Sequence, residues 1–343
     1  MYCFDSDYLE GADERVMQAL AATNSEQTAG YGEDPHCERA RRIIRDLTKC
    51  PDVAVHFVTG GTQANLTVIA ATLRPWEGVL CADTAHINVH ETGAIEATGH
   101  KVLALPQVEG KITAVQVLES IVAQREDRAH EHCVKPGMVY VSHPTEMGTL
   151  YSKDELCAIS AVCRQNGLCL YLDGARLGYG LAADPLVDLP LLADLCDAFT
   201  IGGTKAGLLF GEAIVLPSQK LQAEFRYAIK QRGGMLAKGR LLGVQFAAML
   251  AGGYLVERCA RANALAQQIK KAFVDKGFPL LSDTAANQVF PILPDDVIQK
   301  LQRKYSFSHW QAMGGGRSVV RFCASVTTEE AGVAALLRDI SFL

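Results

Sequence analysis

Leu168-Cys169-Leu170-Tyr171-Leu172-Asp173-Gly174-Ala175-Arg176 is the stretch that decides the fold. Its five leading residues form an unbroken apolar run without the alternation of a half-exposed strand, so they read as a strand covered on both faces. The charge comes only at its end, where parallel α/β sheets bind ligands outside the carboxyl ends of their strands. Similar short apolar runs occur at Val53–Thr59, Gly78–Cys81, Lys101–Leu105, Met138–Ser142, Ala198–Ile201 and Glu212–Leu216. Helix-period segments at Thr62–Leu73, Val89–Ala97, Thr113–Gln124, Lys153–Asn166 and Ser218–Lys230 fill the gaps between them. Strand–helix alternation over this distance predicts an α/β domain with a mostly parallel seven-stranded sheet between helices.

The pattern changes around 235–245. One long helical segment spans Leu241–Lys276 with Gly252-Gly253 inside it, followed by strands around Asn287–Leu293 and Ser318–Ser325 and helices near Asp295–Lys304 and Thr328–Leu337. This predicts a large domain over 36–238 and a smaller C-terminal α+β domain over 239–343, consistent with 343 residues and a soft expectation of two domains. Hydrophobic residues are 49% and charged residues 21%, which excludes a disordered or fibrous chain. A net charge of −5, with no aromatic-interleaved basic stripe, argues against a nucleic-acid partner. Eleven cysteines without a CxxC read as reduced thiols, several of them small core residues. The acidic start MYCFDSDYLEGADE is no signal peptide, and the longest apolar stretch, Leu241–Val256, is short of a membrane span and contains Gln245. The expectation is a soluble, cytoplasmic protein.

Three strand ends carry the chemistry. Val53–Thr59 runs into Gly60-Gly61-Thr62-Gln63-Ala64-Asn65, where glycines and the free N–H groups of a helix start suit one phosphate, or simply make a capped turn. It is neither GxxxxGK[ST] nor GxGxxG, so a nucleotide is not indicated. Asp173 needs a cation, either Arg176 or a protonated heterocycle. Ala198–Ile201 ends in Gly202-Gly203-Thr204-Lys205-Ala206-Gly207, and a lysine among small residues beside an apolar strand loses hydration, which favours its neutral, nucleophilic amine. A phosphate cup, an acid for a ring nitrogen and a Schiff-base lysine are the parts that hold pyridoxal 5′-phosphate as an electron sink.

On these residues the chain resembles the threonine aldolase/β-eliminating lyase family, within the aspartate-aminotransferase-like (fold type I) pyridoxal-phosphate enzymes. The matching pieces are FDSD near the N-terminus, YGEDP at 31–35, GGTQAN at 60–65, TAHINVHETGAIE at 84–96, PTEMGTLY at 144–151, DGARLG at 173–178, GGTKAGLLFGEA at 202–213 and VVRF at 319–322. The resemblance implies an aldolase that cleaves the Cα–Cβ bond of a β-hydroxy-α-amino acid through a Lys205 aldimine. L-threonine or L-allo-threonine would give glycine and acetaldehyde. It implies that Asp173 pairs with the ring nitrogen, that Gly61, Thr62 and Thr204 bind phosphate, and that His86 stacks on the ring. Arg176 is placed near the ring oxygen or substrate carboxylate, Arg321 and Ser6 on that carboxylate, and Tyr31 near the cofactor. Residues 1–35 are expected to pack at the active site and subunit interface of a homodimer or homotetramer, with Lys230, Arg232 and Lys238 reaching a neighbour's phosphate.

The chain departs from the family pattern at Glu146, where a histidine is usual, and carries His143 three residues earlier. Glu146, His86 and a bound water are therefore alternative bases for the β-hydroxyl. His86 and His90 are spaced i, i+4 beside Glu91, but no third ligand matches, so no metal is expected. The same apparatus serves β-elimination or transamination on a small amino acid equally well, and a non-catalytic binding protein on this scaffold is the remaining alternative.

Overall fold

The computed structural model describes residues 1–343. Its main sheet has seven strands, in spatial order Ala54–Val58, Glu212–Leu216, Ala198–Gly202, Cys169–Asp173, Lys135–Ser142, Glu77–Ala82 and Val102–Leu105. The pairs among the last five are parallel, and Glu212–Leu216 runs antiparallel to both of its neighbours. This is the architecture expected from the continuous apolar runs. Strands such as Ala198–Gly202 and Glu212–Leu216 are buried along their whole length, because helices cover both faces.

Pairing fixes which side chains share a face. Tyr140 lies opposite Tyr171, Ser142 opposite Asp173, and Gly202 opposite Glu212, so polar groups gather at one edge of an otherwise apolar sheet. A cluster of 59 buried apolar residues fills the layers around it. A second cluster of 18 lies under the C-terminal strands and joins Phe4 to Leu265, Phe273, Val320 and Phe322. Tyr2–Cys3 pairs in parallel with Tyr305–Ser306, which ties the chain's start to its last third. No helix is long and apolar enough to cross a membrane.

Several elements differ from the sequence expectation, each for a local reason. The helix expected over Val89–Ala97 is instead the single turn His86–Val89 and a 3₁₀ turn at Glu96–Thr98, because Thr92 and Gly93 adopt left-handed backbone between them. Ser218–Lys230 splits into Gln219–Gln222 and Phe225–Gln231 at Glu224, which has φ of 60°. The long segment breaks at Gly252-Gly253 into Arg240–Leu250 and Tyr254–Asp275. Unforeseen helices cover Glu14–Thr23, Pro35–Thr48, Leu177–Ala183 and Leu189–Leu195, and strand Ser308–Gly314 pairs with Arg317–Cys323. The Glu33-Asp34-Pro35 turn starts one of these helices: Asp34 accepts from the Cys37 backbone N–H at 2.9 Å.

Helix Pro35–Thr48 crosses Arg240–Leu250 at Gly243, where a Cβ would lie 2.4 Å from the Cys37 backbone. Gly243→Ala must therefore separate the two helices, and overpacking of this kind costs about 1–3 kcal/mol. We expect a lower thermal unfolding midpoint than wild type at equal protein concentration, and an unchanged midpoint would show that the crossing can relax.

Candidate active site

Three neighbouring strands end on one edge, and glycine lets their loops meet. A Cβ on Gly174 would fall 2.0 Å from the Thr200 carbonyl oxygen, and one on Gly202 would fall 2.2 Å from that of Ala175. Only hydrogen fits at either position, so the loop after Asp173 and the loop leading to Lys205 lie against each other. The Gly174 N–H donates to Thr200 Oγ1 at 2.8 Å, and the Gly202 N–H donates to the Gly174 carbonyl at 2.9 Å. Lys205 then sits in a 3₁₀ turn at Thr204–Ala206, its carbonyl accepting from the Tyr179 hydroxyl at 2.6 Å.

Gly61, Asn65, His86, Glu146, Asp173 and Lys205 line the inner part of the cleft between these loops. It widens into an open cavity of about 540 Å³ that adds Tyr8, His90, Ser308, His309, Trp310 and Arg321, with Arg176 lining both parts. Burial, then the Arg176 guanidinium, lowers the pKa of the Lys205 ammonium from its usual value. Both effects favour the neutral amine, the form that attacks a carbonyl.

Asp173 is buried yet satisfied. Oδ2 accepts from the Tyr140 hydroxyl at 2.6 Å and from Asn65 Nδ2 at 3.0 Å, and Oδ1 accepts from the Ala175 N–H at 2.8 Å. Burial and the Asp173 charge hold Tyr140 well above the usual phenol range, so it stays a donor. Helix Gly61–Thr72 starts at Gly60 with no side-chain cap, and a Cβ on Gly60 or Gly61 would meet nothing within 4 Å. Its first N–H groups are thus left for an anion. Thr204 Oγ1 accepts from the Gly211 N–H at 3.0 Å, which leaves its own proton to donate.

The arginines are positioned from the N-terminal segment. Arg176 pairs with Asp7 through two bonds, Nε to Oδ2 at 2.7 Å and Nη2 to Oδ1 at 2.9 Å, and not with Asp173. Asn287 Nδ2 also donates to Asp7, at 2.8 Å. Burial alone raises the Asp7 pKa, but Arg176 outweighs it and holds the carboxyl down at about 2. Arg321 donates to the Asp5 carbonyl at 2.8 Å and to Ser308 Oγ at 3.2 Å, and its guanidinium carbon lies 5.4 Å from the Trp310 ring centre. Ser6, between Asp5 and Asp7, is buried with its hydroxyl unpartnered.

Glu146 Oε1 accepts from the His86 backbone N–H at 2.8 Å and from Ser142 Oγ at 2.7 Å, and burial raises its pKa. His86 Nδ1 lies 2.8 Å from Glu91 Oε1. Thus Gly61, His86, Glu146, Asp173, Arg176, Lys205 and Arg321 share one cleft, with Thr62 and Thr204 their chain neighbours. Tyr31 and Lys230 lie elsewhere, on an outer surface where the Lys230 ammonium sits 4.8 Å from the Tyr31 ring centre. Arg232 lies behind the phosphate-side helix, its carbonyl accepting from Gln63 Nε2 at 3.2 Å, and Lys238 is exposed. Asp7, Asn65 and Tyr140 have no role in the sequence reading, where Glu91 enters only as the neighbour of the His86/His90 pair, although Asp7, Asn65 and Glu91 fall inside FDSD, GGTQAN and TAHINVHETGAIE.

Cofactor-dependent chemistry at the carboxyl edge of a mostly parallel sheet, with lysine and aspartate on adjoining strand ends, defines a fold type I pyridoxal-phosphate protein. The Beta-eliminating lyase family model matches residues 4–295. The chain is 33% identical over 344 aligned residues to a low specificity L-threonine aldolase of a Pseudomonas strain, covering 98% of this chain and 96% of the relative. It superposes on the threonine aldolase of Leishmania major with a TM-score of 0.96 and 40% identity, covering 100% of this chain and 99% of that one. A histidinol-phosphate aminotransferase of Clostridium acetobutylicum matches at TM-score 0.75 with 13% identity, covering 100% and 98%, a likeness of fold alone. The chain belongs to the β-eliminating lyase family.

The Asp7–Arg176 pair has a signature in pH. Asp7 has a lower pKa folded than unfolded, so its stabilisation is complete above about pH 4 and is lost as pH falls toward 2, on the order of 2 kcal/mol. Asp7→Asn leaves Arg176 buried without a counter-charge and should cost roughly 3 kcal/mol near neutral pH. Unfolding midpoints between pH 6 and pH 2 are expected to converge for variant and wild type at the acid end. A constant gap across that range would refute the pairing as the source.

Proposed function

We propose that this chain is a pyridoxal-phosphate-dependent aldolase that cleaves the Cα–Cβ bond of a β-hydroxy-α-amino acid, L-threonine or L-allo-threonine, into glycine and acetaldehyde. One observation carries the reading: a desolvated Lys205 amine opens on the same cleft as a hydrogen-bonded Asp173 and two fixed arginines, in a chain 40% identical to a threonine aldolase along its length. The donor set fits the cofactor. The uncapped helix start at Gly61 and Thr62, with the Thr204 hydroxyl, takes the phosphate; Asp173 takes the protonated ring nitrogen; His86 lies against the ring; Lys205 takes the aldehyde. Bound there, pyridoxal phosphate supplies a sink for the electron pair released from Cα.

The rest of the reaction belongs to the chain's own groups. Arg321 holds the substrate carboxylate with Ser6 and Arg176 beside it, and planar donor forks fix orientation better than a lysine would. That orientation is catalytic, because it selects which bond at Cα stands across the ring. His86 takes the β-hydroxyl proton. Glu146, whose pKa burial raises, lines the cleft beside it. Lys230, Arg232 and Lys238 reach a neighbouring subunit's phosphate in a homo-oligomer, with Tyr31 near that cofactor. Eleven unpaired thiols suit a reducing, cytoplasmic compartment.

Purified protein supplied with pyridoxal phosphate is expected to release glycine and acetaldehyde in equal amounts from threonine; a keto acid with ammonia, or no product from any β-hydroxy amino acid, would overturn the reading. Lys205→Ala should abolish both product and the visible band of lysine-bound cofactor. Arg321→Ala should keep that band and raise KM about 100-fold, the loss of a charge-assisted fork worth about 2.7 kcal/mol. Loss of colour in Arg321→Ala would place the residue on the cofactor rather than the substrate.

A further inference from the structure

Glu91 is enclosed, with its side chain fully out of solvent, and its contacts fix the protons along a chain of four residues. Oε1 lies 2.8 Å from His86 Nδ1 and 2.7 Å from Asn65 Nδ2. The second amide proton of Asn65 goes to Asp173 Oδ2, and Asn65 Oδ1 accepts from the Tyr171 hydroxyl at 2.7 Å. Only an NH₂ group can face two carboxylates at once, so the amide has one possible orientation. Burial holds the Tyr171 phenol protonated, which makes it a donor to Asn65. A carboxylate that accepts from Asn65 also accepts from the imidazole, so His86 carries its proton on Nδ1. The ring's opposite nitrogen, Nε2, is then left unprotonated.

We propose that Glu91, braced by Asn65 against Asp173, is the positioning residue that makes His86 the base for the β-hydroxyl. This rests on the aldolase reading above. The hydroxyl proton passes to Nε2 and the O–H pair becomes the second bond of the aldehyde carbonyl, while bound pyridoxal phosphate would supply the sink for the Cα–Cβ pair. Cα later takes up one proton and His86 releases one, so the total is unchanged between threonine and its two products. Glu91 offsets the charge that His86 gains. The other groups facing the ring do not, since Arg176 and Arg321 are cations in the same cleft, the Lys205 amine is favoured neutral, His90 lies 5.5 Å away ring to ring, and Glu146 bonds the His86 backbone.

The test is Glu91→Gln, which keeps size and shape and removes the charge. Histidine labelled with ¹⁵N, with the His86 signals assigned by their loss in His86→Asn, reports ring protonation in the holoenzyme and in cofactor-free protein. Wild type is expected to show the Nδ1–H form, and the variant a His86 titration midpoint lower by about one pH unit, a tenfold change in proton affinity. The acid limb of kcat/KM should move down with it, while the plateau falls about 100-fold. The visible band of lysine-bound cofactor should survive. An unmoved midpoint and acid limb overturn the proposal, and loss of the band shows that Glu91 serves Asp173 instead and overturns it as well. The nitrogen titration is read whether or not threonine is cleaved, so failure of the aldolase reading would appear separately, as a wild-type protein that releases no aldehyde.

Discussion

Excess positive charge in one cleft is the constraint on which the site depends. Lys205, Arg176 and Arg321 all open on it, and three cations at close range cannot all stay charged without counter-ions. The chain resolves this unequally. Arg176 is neutralised by Asp7 with two short bonds. Arg321 is braced mainly by the Asp5 carbonyl, Ser308 and the Trp310 ring, so its charge is left for an incoming carboxylate. Lys205 has no carboxylate partner within ion-pair distance, so burial and Arg176 outweigh the more distant charges of Asp7, Glu212 and Asp173, and its pKa is lowered. Nucleophilicity at position 205 is thus a property of the whole cleft.

The buried acids follow the same logic. Glu212 sits opposite Gly202 in the sheet, buried, with Oε2 unpartnered, and burial together with the nearby Asp173 charge raises its pKa far above the carboxylate range. Its charge and that of Lys205 act on each other, Lys205 pulling the Glu212 pKa down and Glu212 pulling the Lys205 pKa up. Asp173 differs because Tyr140, Asn65 and the Ala175 N–H satisfy it. Two carboxyls on one sheet face therefore differ in their hydrogen bonds, three donors reaching Asp173 while Glu212 Oε2 has none.

Much of this was legible in the sequence, and the remainder has a physical cause. Continuous apolar runs identified all seven strands of the main sheet, because burial on both faces leaves no alternation to mislead. Lys205, Asp173 and the glycine turn at 60–61 were visible because each follows such a run directly. The breaks at Glu224 and Thr92 were not, since a left-handed backbone at a residue other than glycine has no compositional mark. Asp7 and Glu91 stayed hidden for a different reason. Their partners lie 169 and 5 residues away in sequence, at Arg176 and His86, and only tertiary structure shows that each carboxylate is aimed at a cation or an imidazole. Asp173 was read as needing a cation, either Arg176 or a protonated heterocycle; Arg176 is taken up by Asp7, and the donors on Asp173 are neutral.

Glu146 shows how a departure from the family pattern can be absorbed. A histidine there would compete with His86 for the same proton. A carboxyl in that place has its Oε1 held by the His86 N–H and the Ser142 hydroxyl and has its pKa raised by burial, which favours the protonated form. His143 does not take over the vacant role: it is wholly buried, packed against Gly180, and burial lowers it to about 4, so it stays neutral and away from substrate. With His143 sealed off and Glu146 raised in pKa by burial, the proposed base is the imidazole at 86. In that proposal the carboxylate behind the ring is Glu91, whose Oε1 lies 2.8 Å from His86 Nδ1.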